Sequence, residues 1–237
     1  MKKFNTTGVC IPAKHYMVNI DERLKQIKGM IDEGDYFVIN RARQYGKTTT
    51  LTALKKYLAE DYLVISLDFQ EMGSADFATE NNFVQAFCGL LMQETEGFLK
   101  IPEKIEKQIY EYFAGKVLNV TLHRFFMMLR EWCAISEKKI VLLIDEVDSA
   151  SNNQVFLDFL AQLRAGYIAR DTKELPAFQS VILVGVTDIR YLKSKIREEE
   201  QVKVNSQRTY TFVWNIAADF QIDMSLSAEG IRGMLEE

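Results

Sequence analysis

The stretch that most constrains this chain is a short apolar run, Tyr36-Phe37-Val38-Ile39-Asn40, that breaks into Arg41-Ala42-Arg43-Gln44-Tyr45-Gly46-Lys47-Thr48 and then into a helix-forming segment from Thr48 to Leu58. A strand feeding a tight turn and then a helix aims several backbone N–H groups at one point. An anion held there also meets the positive end of the helix dipole. Lys47 adds a point charge suited to β- and γ-phosphates, the Thr48 hydroxyl is a ligand for Mg²⁺, and Gly46 lets backbone approach phosphate closely. The expected phosphate-binding stretch therefore runs through Arg41, Ala42, Arg43, Gln44, Tyr45, Gly46, Lys47, Thr48 and Thr49.

A second motif lies far downstream, in Lys139-Ile140-Val141-Leu142-Leu143-Ile144-Asp145-Glu146-Val147-Asp148. Its unbroken aliphatic run predicts a parallel strand buried on both faces, since a half-exposed strand would alternate. Ligands of open α/β sheets sit beyond the carboxyl ends of the strands, so these acids and the Gly-Lys-Thr turn are expected to converge. Asp145 then shares the Mg²⁺ with Thr48, and Glu146 polarises the attacking water. A fourth such strand, Ser180 to Asp188, ends in Thr187 and Asp188, which are candidates for sensing the γ-phosphate, with Arg190 just beyond.

Composition narrows the setting. A chain of 237 residues that is 48% hydrophobic can bury one large core. A net charge of −4 argues against broad, sequence-independent nucleic-acid binding. Cys10, Cys88 and Cys133 are odd in number and widely spaced, as reduced thiols are. No apolar run approaches a membrane span, and the first residues lack the hydrophobic stretch of a signal peptide, so the expectation is a cytoplasmic protein.

The remaining segments read as scaffold. Tyr16-Met17-Val18 is a plausible short strand. Asp21 is expected to cap a helix that carries Leu24, Ile27 and Ile31 and is closed by Gly34. Tyr62 to Phe69 reads as an interior strand. Three helices are expected between residues 76 and 136, marked by Phe83, Phe87, Leu90, Leu91 and Phe98, then Ile105, Ile109, Tyr112 and Phe113, then Leu122, Phe125, Phe126, Leu129 and Trp132 with Thr121 as cap. A helix opening at Ser151-Asn152-Asn153 carries Arg164 and Arg170. Either could reach a neighbouring subunit's γ-phosphate as an arginine finger, although solvated helix-face arginines are far commoner.

Taken together, the loop, the Leu143 to Asp148 motif, the Gly-Val-x-Asp-Ile-Arg of Gly185 to Arg190 and the Trp214-Asn215-Ile216-Ala217-Ala218-Asp219-Phe220 stretch resemble the AAA-ATPase-like family. That family's loop begins Arg-Pro-Arg, which makes Arg41 a family trait; Ala42 here stands in place of the Pro, and Val213 stands where Pro is expected before Trp214. The resemblance implies ATP and Mg²⁺ as ligands and a C-terminal nuclease domain as a common neighbour, with self-association possible. The expected fold is a three-layer α/β P-loop NTPase with a parallel sheet of about five strands. Residues 1–215 would form the ATPase core and residues 216–237 the start of a helical lid that is cut short. ATP hydrolysis is the leading function, with a nucleotide-gated regulatory module as the alternative and a small-molecule kinase as a weaker third.

Overall fold

The computed structural model describes residues 13–40, 46–95, 101–186 and 214–224, together with Lys3 and Arg232. The described strands are β1 (Phe37–Asn40), β2 (Leu63–Asp68), β3 (Ile140–Asp145) and β4 (Ser180–Gly185), joined as one parallel sheet in the order β1-β4-β3-β2. Four strands are described where about five were expected, and residues 16–20 form no strand. At the free edge of β1 the chain returns once, where the Ala218 N–H donates to Tyr36 O at 2.8 Å and a single bridge joins Phe37 and Ala218.

Among the described residues, six α-helices cover the two faces: α1 (Asp21–Glu33), α2 (Lys47–Leu58), α3 (Glu80–Thr95), α4 (Glu103–Phe113), α5 (Leu122–Ile135) and α6 (Gln154–Lys173). Strand side chains alternate between two cores. Phe37, Ile39, Val64, Val141, Leu143, Ile182 and Val184 pack against α1 and α2. Val38, Ile65, Leu67, Ile140, Leu142, Ile144, Val181 and Leu183 pack against the layer built from α3 to α6. Every residue of β3 and β4 is buried, which is why their sequences are aliphatic without alternation. The connection from β1 to β2 crosses the sheet in one direction and those from β2 to β3 and β3 to β4 return in the other. Crossovers of one hand therefore place α2 on one face and α3 to α6 on the opposite face.

The second core is aromatic. Phe69, Phe83, Phe87, Phe125, Phe156 and Phe159 meet at centroid distances of 5.1 to 6.4 Å, mostly edge-on or tilted, the geometry the ring quadrupole favours. Cys88 is fully buried there, and burial pushes its thiol well above the ordinary range; Cys133 is pushed up to about 12 for the same reason. Phe113 departs from its expected core role, being 49% exposed, though one edge of its ring lies over Gly89, where a Cβ would come within 3.2 Å.

Helix ends follow local chemistry with one correction. Gly34 closes α1 at φ 84°, as its position predicts, and Thr121 Oγ1 accepts the Arg124 N–H at 3.2 Å to cap α5. Asp21 is not the cap of α1 but its first residue. The bond that caps this turn comes from Asn19, whose Oδ1 accepts the Asp21 N–H at 2.8 Å.

Arg170 on α6 is turned inward. Its guanidinium donates to Gln179 O at 2.9 Å, Gly34 O at 3.0 Å and Phe178 O at 3.3 Å, and it lies 4.7 Å from the Tyr167 ring centroid. These carbonyls precede β1 and β4, so Arg170 staples the end of the sheet opposite the Gly-Lys-Thr turn, and its guanidinium is bound within this chain rather than solvated on a helix face. Arg170→Met is expected to cost about 3 kcal/mol, because it strands buried carbonyls and removes charged hydrogen bonds. Denaturant unfolding of the variant beside wild type should show that loss.

Residues 214–224 contain no helix and lie against the core as a strap. Trp214 stacks on Tyr36 at 6.1 Å on one side of the β1 edge, and Phe220 stacks on Phe37 at 5.6 Å on the other. Met224 is buried beside α1, where the Arg23 Nε donates to Asp223 O at 3.2 Å. The expected helix start at Ser225 or Ser227 lies outside the described residues.

Candidate functional site

Because all four strands run parallel, their carboxyl ends share one edge, and the register sets what meets there. Asn40 pairs with Gly185, and Asp145 pairs with Asp68. The chain leaves β1 toward α2 on one face and leaves β3 toward α6 on the other, which opens a crevice at this edge.

Gly46 stands at the start of α2 with φ 70° and ψ 24°, a left-handed conformation that a side chain would strain, and its carbonyl accepts the Thr50 N–H at 2.8 Å. The first turn of α2 contains no acidic residue and receives no side-chain cap among the described residues. Its N–H groups and dipole are therefore oriented for an anion. Lys47, the first helical residue, is 7% exposed. Burying an ammonium at a helix N-terminus, where the dipole repels it, makes sense where an anion is to be held.

The two sequence motifs meet directly. Thr48 Oγ1 donates to Asp145 Oδ2 at 3.1 Å, across 97 residues of chain. Asp145 Oδ1 accepts the Glu146 N–H at 2.9 Å. At 6% exposure, burial raises the Asp145 carboxyl above its usual range, the Glu146 N–H and Thr48 hydroxyl pull it back, and the charges of Glu146 and Asp68 raise it again. A buried carboxylate with acidic neighbours and a hydroxyl at contact distance is a hard-oxygen pair suited to Mg²⁺, a cation that takes one or two protein ligands and completes its shell with phosphate and water.

Glu146 is half-buried and follows Asp145 with φ 53° and ψ 40°. A non-glycine residue held there marks local strain, of a kind that clusters at functional sites. Asp68, the last residue of β2, accepts the Gln70 N–H at 2.8 Å and adds its charge beside Asp145. The structure thus brings Gly46, Lys47, Thr48, Asp145 and Glu146 to one edge. Arg41, Ala42, Arg43, Gln44, Tyr45, Thr187 and Asp188 lie outside the described residues. Thr49 is half-buried in the first turn of α2.

The profile of the AAA-like domain family matches residues 10–199. No curated protein matches the chain. Among solved structures, the Aeropyrum pernix ORC1 protein in complex with DNA is similar at 13% identity and a TM-score of 0.48, covering 93% of this chain and 49% of that one. Drosophila ORC bound to DNA is similar at 12% identity and a TM-score of 0.37, covering 75% of this chain and 82% of that one. The chain spans about half the length of the first of these. The family match takes in well over half of the 237 residues and encloses both motifs that meet at the sheet edge, so the chain belongs to the AAA-like domain family.

Proposed function

We propose that this chain binds ATP and hydrolyses it with Mg²⁺. The observation that carries the reading is the 3.1 Å contact between Thr48 Oγ1 and Asp145 Oδ2 beside the uncapped start of α2. Thr48 and Asp145 would hold the metal, which when bound neutralises charge on the β- and γ-phosphates. Lys47 and the α2 N–H groups bind the phosphates and fix their orientation, and Arg41 to Tyr45 are assigned to the same role from their place before Gly46. Glu146 orients a water and accepts its proton. Thr187 and Asp188 are assigned to γ-phosphate sensing from their place after β4. Most of the rate enhancement in such a site comes from positioning and from fixed charge rather than from covalent chemistry.

Turnover is proposed to control an attached effector, with a nuclease domain following the chain as the family resemblance implies; a lid expected from residue 216 would have to begin after Met224, since residues 216–224 lie against the core. Self-association and a cytoplasmic setting belong to the same proposal. No described helix is long and apolar enough to cross a membrane. The test is phosphate release from ATP by the full-length protein with and without Mg²⁺. Release that requires both is the expected result. Saturable ATP binding with no release at any protein concentration would instead assign the chain to nucleotide-gated regulation without hydrolysis.

A further inference from the structure

The acidic turn after β3 is fastened to the ends of both neighbouring strands. Residues Val147–Ser149 form a single 3₁₀ turn directly after Glu146. On the β4 side, Asp148 Oδ2 accepts the Val186 N–H at 2.5 Å. On the β2 side, Ser149 Oγ donates to Glu146 O at 2.9 Å and lies 3.2 Å from Phe69 O. The approach of Asp148 to β4 depends on Gly185, where a Cβ would stand 2.7 Å from Asp148 Oδ2 and 3.1 Å from Val147 Cγ2. Glu146, at φ 53°, sits at the head of this turn in a left-handed conformation that is sterically disfavoured for a residue with a side chain. Such strain persists only where surrounding contacts impose it.

Resting on the hydrolytic reading of this site, we propose that Asp148 is a positioning residue: its carboxylate ties the acidic turn to the end of β4 and thereby sets the backbone of Glu146, through which it acts on the reaction. Gly185 is the complementary feature, since only a residue without a side chain lets the carboxylate reach the Val186 N–H.

The test combines turnover with a stability cycle that does not depend on turnover. Asp148→Ala is expected to lower kcat by about 10- to 100-fold, the scale of a displaced catalytic group, with ATP affinity within about twofold of wild type. Asp148→Asn, whose amide oxygen accepts the same N–H, should recover most of the rate, and Gly185→Ala should reproduce the loss. Asp148→Ala added to Glu146→Gln should slow it no further. In thermal unfolding, Glu146→Gly should raise Tm by about 2 °C in the wild-type background through relief of the left-handed strain, and by less than half of that when Asp148 is Ala. An equal gain in both backgrounds, or further slowing of Glu146→Gln, overturns the proposal. A wild type that never hydrolyses ATP, yet shows the diminished gain, overturns the hydrolytic reading and leaves the clamp standing.

Discussion

Glu146→Gln lowers kcat for ATP by about 10²–10⁴-fold, the range a positioned proton acceptor contributes, while the Kd for ATP stays within about threefold. The two halves of this expectation rest on different groups. On the proposed reading, binding depends on Lys47, the start of α2 and the Thr48–Asp145 pair, none of which Gln displaces. The backbone of Glu146 is held by its N–H on Asp145 Oδ1 at 2.9 Å, and Gln keeps that bond and the shape of the side chain. What disappears is the carboxylate's capacity to accept a proton from water. Phosphate release measured beside an ATP-binding isotherm checks both halves, and a variant that turns over like wild type would remove Glu146 from the mechanism.

Asp145→Asn produces opposite effects on stability and on metal use. Burial raises the carboxyl's folded-state pKa, so its ionised form is less favourable in the folded chain than in the unfolded one. The resulting cost is absent at pH below the unfolded carboxyl range near 4 and grows to its full size as pH rises through the raised folded value. The Asn variant is therefore expected to unfold at higher temperature than wild type at pH 7 without metal, with the advantage vanishing as pH falls below about 4. The same variant should lose the Mg²⁺ dependence of ATP affinity, because one of two oxygen ligands becomes neutral. Thermal unfolding at pH 4 and 7 with EDTA, followed by ATP titration with and without Mg²⁺, separates the two effects. A variant less stable than wild type at pH 7 would show that the Thr48 and Glu146 hydrogen bonds outweigh the cost of burial.

Much of this arrangement is legible in the amino-acid order. The unbroken aliphatic runs of β3 and β4 announce strands covered on both faces, and a doubly covered parallel sheet leaves only its carboxyl edge for ligands, which is where Lys47, Thr48 and Asp145 meet. Gly34 is readable because it falls where a left-handed residue closes a helix, and Gly46 because the turn needs backbone that can approach an anion, though its left-handed φ has no signature of its own. Other features have no local signature. Arg170 reads as a solvated or reaching arginine on a helix face, yet its partners are backbone carbonyls up to 136 residues away, and carbonyls leave no mark in a sequence. The strap from Trp214 to Met224 has no helical or strand period because its anchors stack on Tyr36 and Phe37 from opposite sides of a sheet edge. Helical spacing places Phe113 on the inward face of α4 but cannot tell how far α3 extends over it. The left-handed backbone of Glu146 is likewise imposed from outside, by bonds from the ends of β2 and β4.

The measurement closest to the central claim is equilibrium binding of ATP, with and without Mg²⁺, to wild type and to Lys47→Ala. Truncating a cation assigned to the phosphates should cost about 2–4 kcal/mol, on the order of 30- to 1,000-fold in Kd. Wild type should bind ATP more tightly with Mg²⁺ than without it, and Lys47→Ala should bind weakly in both conditions. Equal affinity of the two proteins for ATP would contradict the assignment of this sheet edge as a nucleotide site.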